Sequence, residues 1–124
     1  MCDHTVRRHT RLGLSAAMRL FGLTGRALRY YEELGLIEAR RDRRNTRYYD
    51  AAARERLGWI APLRAVGVPV TAIRAVLDGD AATRSVQAVA VLEGRHEEML
   101  ALLASIDVVL ANLRARPVID AQSH

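Results

Sequence analysis

Arginine side chains are concentrated in one stretch of this 124-residue chain, between residues 24 and 49. Two of them lie three positions apart, and five more fall within eight positions further along. A guanidinium group binds phosphate oxygens and guanine edges through paired hydrogen bonds, and a phenol hydroxyl can also reach a phosphate. We expect the stretch to contact a nucleic-acid backbone through Thr24, Arg26, Arg29, Tyr30, Arg40, Arg41, Arg43, Arg44 and Arg47.

The distribution of charge supports this expectation. The formal net charge is +5, and all 19 basic residues are Arg. Residues 1–62 carry 13 Arg against 7 acidic residues, a balance of +6, whereas residues 63–124 carry 6 Arg against 7, a balance of −1. A basic half joined to a near-neutral half is typical of a nucleic-acid-binding domain with an appendage. The preference for Arg over Lys is weaker evidence, because a GC-rich genome produces it too.

A helix-turn-helix is predicted around the first arginines. Residues 1–12 are polar, basic and aperiodic, and we expect a loose arm there. Ser15 should cap a short helix at 16–21. After a turn at Gly22, Thr24 should cap a second helix of about 25–33. In that helix the apolar spacing predicts that Ala27, Leu28 and Tyr31 point inward, and that Arg26, Arg29 and Tyr30 point outward.

A wing is predicted next. A short strand at Leu36-Ile37 and a second at 47–49 would be joined by an arginine-rich tip. The charge cluster alone fits a solvated loop equally well. Beside the outward arginines of the second helix, on the same side of a winged helix, it favours DNA contact.

Two further helices should complete the basic domain. Asp50 is expected to cap a third helix of about 51–65, which Pro62 should bend or split. Pro69 fits the first turn of a fourth helix, about 69–78. The predicted organisation is therefore an arm at 1–12, a winged helix-turn-helix at 13–78, a long helix at 82–116 and a tail at 117–124.

The long helix carries a heptad seam. Apolar residues and one histidine follow one another at steps of 3, 4, 3, 4, 3, 4 and 3 residues. A strict period of 3.5 residues indicates helix-on-helix packing, so the helix is expected to pair with a second copy. Packing on its own winged domain is the alternative. The seam consists of Val89, Leu92, His96, Met99, Leu103, Ile106, Leu110 and Leu113.

The residues placed so far resemble the MerR family of transcriptional regulators. The resemblance rests on GLTGRALRYYEELGLIEARR (22–41), NTRYYD (45–50) and LRAVGVPVTAIRAVLD (63–78). It implies a mainly α fold, a winged helix-turn-helix with a small β-hairpin wing, followed by a C-terminal helix that forms an antiparallel coiled coil with its partner. Asn45-Thr46 stands where the family usually has Gly-Tyr, and Asn tolerates the left-handed turn that Gly would supply.

The resemblance also implies roles for residues. Arg26, Arg29 and Tyr30 would touch phosphates and base edges in the major groove of double-stranded DNA. Arg47 and Tyr48 would hold backbone phosphates, and Arg64 would approach the duplex from the end of the third helix. A homodimer would then bind a pseudo-palindromic promoter operator. Like family members, it would distort the DNA and realign the elements that RNA polymerase reads, although plain repression fits equally well.

Other functions are less consistent with the sequence. An excisionase-like or architectural DNA-binding protein is the alternative, but it leaves the long seam unexplained. No Ser-His-Asp, Cys-His or carboxylate pair suggests an enzyme, and no cofactor is expected. Residues 79–124 contain no Cys, so a thiolate metal sensor of the family's kind is not expected there. Cys2, His4 and His9 match no strong zinc spacing. No small-molecule effector can be identified.

Compartment and membrane association follow from the same composition. A single cysteine and the absence of a long apolar run indicate a cytoplasmic protein without a membrane segment.

His96 generates one prediction. A single polar residue on a seam usually sets the register of the pair, but protonation of His96 would also place positive charge inside the interface. If protonation of His96 loosens the pair, the dimer should dissociate more readily at pH 5.5 than at pH 8. Equal dissociation constants at the two pH values would leave His96 as a register-setting residue only.

Overall fold

The computed structural model describes residues 11–117 as five helices and three short strands. Their order is β1 (Leu12–Gly13), α1 (Leu14–Phe21), α2 (Gly25–Glu33), β2 (Arg40–Arg41), β3 (Arg47–Tyr49), α3 (Ala51–Ala65), α4 (Val70–Asp78) and α5 (Ala81–Arg114). The head, residues 12–78, contains a helix-turn-helix and a small sheet, and α5 extends from it. The predicted mainly α winged helix-turn-helix with a long C-terminal helix is confirmed.

The sheet has three antiparallel strands in the order β1-β3-β2. Leu12 pairs with Tyr49, and Arg40 pairs with Tyr48. The sequence predicted a two-stranded wing and placed residue 12 in a loose arm, so β1 was missed. A two-residue strand is too short for the alternation of apolar and polar side chains to become visible.

The start of α1 also differs from the prediction. The helix begins at Leu14, and Gly13 occupies the N-cap position without a side-chain hydrogen bond. The prediction that Ser15 caps this helix is therefore wrong. Because β1 ends at Gly13 in an extended conformation, the chain enters the helix directly from the sheet.

Leu36 and Ile37 are buried but form no strand, so the prediction of a strand there is wrong. Neighbouring side chains of a strand point to opposite faces, whereas these two residues both belong to the core, at 0% and 4% exposure. The first strand of the wing is Arg40–Arg41 instead. The second wing strand, at 47–49, was placed correctly.

Pro62 lies inside a single continuous helix, so the predicted split of α3 does not occur. The ring of a helical proline displaces the carbonyl group four residues earlier, which here belongs to Gly58. Both residues are exposed, so water can satisfy that carbonyl. Pro69 precedes α4 as its N-cap and is not part of the helix.

One core joins the helices of the head to the wing. Leu28, Tyr49, Leu57, Ile60 and Ile73 are each 0% exposed. They come from α2, β3, α3 and α4, so the helix-turn-helix, the sheet and the helices after it are packed as one unit. Removing any of these large apolar side chains would cost several kcal/mol, of the order of 2–5 for Leu or Ile to Ala.

The first part of α5 packs on the head and the rest projects from it. Ala88 is 4% exposed, and Val91 packs against the core. Asp80 caps the helix by accepting from Thr83 N at 2.8 Å. The alternative that α5 packs on its own domain therefore holds for its first turns, but not for the seam.

The N-cap of α3 gives a test of this fold. Asp50 Oδ1 accepts from Ala53 N at 2.9 Å, and Arg40 Nε lies 2.6 Å from Asp50 Oδ2. The backbone hydrogen bond, followed by that of Arg40, lowers the pKa of Asp50. We expect Asp50→Ala to lower the free energy of unfolding by about 1 kcal/mol, since it removes the cap.

Asp50→Asn is the matched control, because it keeps a capping oxygen while removing the charge. Urea unfolding followed by circular dichroism should rank the alanine variant below the asparagine variant. Since the pKa of Asp50 is lower in the folded state, its contribution is present above the unfolded carboxyl pKa of about 4 and is lost as the pH falls below it. Equal stability of both variants and the wild type would contradict the capping role.

Candidate nucleic-acid interface

The outer face of α2 presents two arginines and a tyrosine. Arg26 and Arg29 are exposed, and Tyr30 is 49% exposed, whereas Tyr31 is 5% exposed and belongs to the core. The predicted separation of the two adjacent tyrosines is confirmed. Within residues 11–117 neither arginine forms a salt bridge. Their guanidinium donors are therefore available to a ligand.

Both ends of α2 are fixed by side chains. Thr24 Oγ1 accepts from Ala27 N at 3.0 Å, which confirms the predicted N-cap. Just beyond its C-terminus, Arg74 donates to the Leu34 carbonyl, and Arg56 Nε donates to the Leu36 carbonyl at 2.5 Å. These two arginines come from α4 and α3 and hold the helix in place. Sequence reasoning assigned them no role.

Glu32 joins α2 to the sheet. Its carboxylate accepts a hydrogen bond from the Tyr49 hydroxyl at 2.5 Å and lies 3.4 Å from Arg47 Nη2. Burial, and next the hydrogen bond to Glu32, raise the pKa of the Tyr49 phenol, so it stays protonated and donates. Arg47, predicted to bind phosphate, is thus partly committed to an internal ion pair with its side chain 27% exposed.

The tip of the wing is organised by one carboxylate. Asp42 Oδ1 accepts from the backbone nitrogens of Arg44 and Thr46, both at 2.9 Å. Asn45 adopts φ +64°, the left-handed conformation anticipated for an asparagine in place of glycine. Arg41 Nη1 donates to the Asn45 carbonyl at 2.9 Å. The turn therefore holds its shape while the arginine side chains remain exposed.

A hollow of about 410 Å³ lies beside the tip, and we call it the wing hollow. Arg11 contributes to it although sequence reasoning left this residue in the arm. Its Cζ atom lies 4.8 Å from the centroid of the Tyr48 ring, within the range of a cation–π contact. The role of Arg11 could have been inferred from its position directly before β1, but sequence reasoning also missed that strand. The wing hollow is lined by Arg11, Arg41, Asp42, Arg43, Arg44 and Tyr48.

The wing hollow has an excess of positive charge. It gathers four guanidinium groups and one carboxylate, and that carboxylate is occupied by backbone donors of the turn. Among the residues that the structure describes, none of these four arginines forms a salt bridge. Like charges held close together favour the binding of an anion.

Two residues that were predicted to contact DNA, Arg40 and Arg64, do not line the wing hollow. Arg40 is paired with Asp50, and that ion pair raises the pKa of its guanidinium. Arg64 Nη1 donates to the Val68 carbonyl at 2.8 Å and lies beside α5, outside the wing hollow. The wing hollow thus gathers Arg41, Arg43, Arg44 and Tyr48. Arg40 pairs with Tyr48 across the sheet, but neither Arg40 nor Arg64 lines the hollow. That any of these six residues contacts DNA remains a prediction.

The seam of α5 is exposed, and an open groove of about 610 Å³ runs between it and the end of α3. Seven of the eight seam residues are large and apolar, with exposures from 38% at Met99 to 55% at Val89. We call this the α5 groove; its lining is Arg64, Ala65, Val66, Gly67, Leu92, Arg95, His96 and Met99.

Two arginines of α5 tie this helix to the head. Arg84 donates to the carbonyls of Leu77 and Gly79 at 3.0 and 2.9 Å, and to Glu55 at 2.7 Å. Arg95 Nε donates to the Val66 carbonyl at 2.7 Å. The carbonyls lie at the C-terminal ends of α3 and α4, where guanidinium groups are favourable. The proximal half of α5 is therefore fixed relative to α3 and α4.

Other kinds of site find no support in the described part of the chain. Residues 11–117 contain no group of three or more His, Cys, Asp or Glu side chains placed to hold a metal ion. Cys2, His4 and His9 lie outside the described residues. No helix in the described range is both long enough and apolar enough to cross a membrane.

Solved structures of regulators share this architecture. A MerR family transcriptional regulator from Bacillus cereus superimposes with a TM-score of 0.64 over 91% of each chain at 20% identity. HiNmlR, a MerR family regulator lacking the sensor domain and bound to promoter DNA, gives 0.58 over 82% of this chain and 79% of its own at 19% identity. At these identities the likeness concerns the fold alone.

Sequence similarity is higher for two other regulators. The HTH-type transcriptional regulator SkgA from Caulobacter crescentus is 30% identical, with a TM-score of 0.57 over 86% of this chain and 79% of its own. The HTH-type transcriptional regulator TnrA from Bacillus subtilis is 39% identical over 71 residues, which are 57% of this chain. That match spans 64% of the length of TnrA.

The family assignment follows from the head. The family model for MerR HTH family regulatory proteins matches residues 12–80 of the sequence, which are more than half of the chain and include the whole of the winged helix-turn-helix. The chain belongs to the MerR family of DNA-binding transcriptional regulators.

Proposed function

We propose that this protein is a cytoplasmic, homodimeric regulator that binds a pseudo-palindromic promoter operator and distorts the DNA. Each head would place α2 in the major groove and the wing on the flanking phosphates. The distortion would realign the elements that RNA polymerase reads. No effector is assigned to it.

The observation that carries the proposal is the arrangement of arginines without internal acidic partners. Arg26 and Arg29 lie on the outer face of α2, and the four arginines of the wing hollow lie at the adjoining wing. Such groups gain most from a polyanion, because binding releases counterions from the phosphate backbone. Tyr30, beside them on α2, adds a hydroxyl for a phosphate oxygen.

Dimer formation is supported by the unpaired seam. A helix of 34 residues with a heptad stripe of exposed apolar side chains is unfavourable in water unless another helix covers it. A two-fold dimer presents two equal heads, so its operator should be two-fold symmetric. HiNmlR, which shares this fold and lacks a sensor domain, is bound to promoter DNA.

The salt dependence of DNA binding tests whether the wing contacts phosphates. In Arg43→Gln/Arg44→Gln, we expect affinity for DNA to fall equally on specific and non-specific sequences. The slope of log K against log salt should decrease by roughly one for each phosphate that the variant no longer neutralises. Fluorescence anisotropy over a salt series measures both. Arg116→Gln, beyond the end of α5, is the control for the loss of one positive charge, and an equal effect for each charge removed would contradict a wing contact.

The recognition helix should behave differently. Arg29→Gln is expected to cost about 1–3 kcal/mol at one base position if it reads a base edge, with little effect on non-specific DNA. Binding to a set of operator variants measures the specificity. A uniform decrease in affinity on all sequences would assign Arg29 to a phosphate instead.

The form of the operator tests the proposal as a whole. Footprinting on promoter DNA that co-purifies with the protein should reveal one symmetric site, with half-sites separated by about one helical turn or a multiple of it. Bending should appear in a gel-shift series in which the site moves along the fragment. An extended array of sites would favour an architectural role. A monomer without DNA affinity at low salt would contradict the proposal entirely.

A further inference from the structure

We propose that Glu32 is a specificity-determining residue of the DNA interface, which fixes the position of Arg47 and offsets its charge so that non-operator DNA is bound weakly. The inference rests on the proposed binding of DNA by α2 and the wing. It adds an acidic residue to which sequence reasoning assigned no role. Because Glu32 acts through Arg47, it is a positioning residue and does not itself have to touch DNA.

The Glu32 carboxylate is held in one place by Tyr49. The Tyr49 hydroxyl donates to Glu32 Oε2 at 2.5 Å, and the Tyr49 side chain is 0% exposed in the core. A hydrogen bond to an ionised carboxylate is roughly twice as strong as one between neutral groups. The Glu32 side chain is only 16% exposed, so its negative charge stays at the junction of α2 and the sheet.

The second carboxylate oxygen is left for Arg47. Glu32 Oε1 lies 3.4 Å from Arg47 Nη2, which is close enough for an ion pair. A charge-assisted hydrogen bond is shorter, at about 2.7–2.9 Å, so this contact restrains the guanidinium without saturating its donors. The Arg47 side chain is 27% exposed and can still reach a phosphate oxygen on its open side.

Glu32 also lies near the face of α2 that we propose enters the major groove. Arg29 precedes it by three positions, so the two side chains are neighbours along the helix. The positive charges of Arg47 and Arg29 both act to lower the pKa of the Tyr49 phenol, against the larger effects of burial and Glu32. One carboxylate therefore lies among an arginine of α2 and an arginine of the wing.

The charge of Glu32 should weaken binding to non-operator DNA more than binding to the operator. Affinity for arbitrary sequences comes almost entirely from phosphate neutralisation, whereas the operator adds contacts to base edges. A carboxylate beside Arg47 competes with phosphate for that guanidinium. On the operator this competition is offset, because a long side chain that is already restrained loses less conformational entropy on binding.

The acidic partner of Arg40 is not equivalent to Glu32. The Arg40 and Asp50 side chains are 56% and 30% exposed, and exposed ion pairs contribute little. Asp50 also caps α3 by accepting from Ala53 N, so its place is dictated by that helix. Glu32 belongs to α2 itself, which makes it the acidic residue that can relate the wing to the recognition helix.

Glu32→Gln tests the effect of the charge. Glutamine keeps the length of the side chain and an oxygen for the Tyr49 hydroxyl, but it no longer attracts Arg47. We expect affinity for non-operator DNA to rise by about threefold or more at low salt, and the slope of log K against log salt to steepen by roughly one phosphate. Operator affinity should change less, so the ratio of the two affinities falls. Fluorescence anisotropy with operator and scrambled fragments of equal length measures both.

Glu33→Gln is the matched control. Glu33 is the next residue of α2, is exposed, and forms no salt bridge within residues 11–117. The variant changes the net charge by the same amount without releasing Arg47, so the salt slope and the affinity ratio should match those of the wild type. Equal effects of the two substitutions would mean that only net charge matters, and would overturn the inference.

Tyr49→Phe separates position from charge. The ring remains in the core and both Glu32 and Arg47 keep their charges, but the carboxylate loses its anchor. We expect the salt slope on non-operator DNA to stay as in the wild type, and operator affinity to fall by about threefold or more. Unchanged operator affinity would contradict the positioning role.

The outcomes distinguish this inference from a structural role and from failure of the proposed function. Urea unfolding followed by circular dichroism gives the fraction of each variant that is folded under the binding conditions. If Glu32→Gln lowered affinity for both fragments and left the salt slope unchanged, Glu32 would serve the fold alone and the inference would be wrong. A wild-type protein that binds operator and scrambled DNA equally would instead contradict the proposed function.

Discussion

The contact between Glu32 and Tyr49 is the interaction on which the geometry of the interface depends. Glu32 lies at the end of α2, the helix that we propose enters the major groove, and Tyr49 ends the central strand of the sheet. Their hydrogen bond, reinforced by Arg47, fixes the angle between α2 and the wing from inside the protein. An interface that must place one element in a groove and another on the flanking phosphates needs that angle to be set before binding, because ordering it afterwards would reduce affinity.

Arginine serves two purposes in this chain, and composition alone does not separate them. Arg56, Arg74, Arg84 and Arg95 donate to backbone carbonyls and hold the helices together. Those at the wing hollow and on the outer face of α2 have no acidic partner among the described residues. The first group holds helices of the structure together, whereas the second group forms the proposed DNA-binding surface.

Periodic features were predictable from the sequence, and features that depend on a few backbone contacts were not. The apolar stripe of α2 separated Tyr30 from Tyr31 correctly, and the caps Thr24 and Asp50 were found because side-chain chemistry dictates them. The strand β1 was missed because a strand of two residues is too short to show alternating apolar and polar side chains. The role of Arg11, which directly precedes that strand, was missed with it. The two buried residues Leu36 and Ile37 were assigned to a strand because an apolar pair alone does not reveal which backbone partner it has.

The long helix shows how one element can serve two packing surfaces. Its first turns are bound to the head through Ala88, Arg84 and Arg95, and its seam points elsewhere. Because Arg84 and Arg95 hold the docked half against the head, a partner that covered the seam would also fix the position of that head. The single core that joins α2, β3, α3 and α4 leaves little room for independent movement within it.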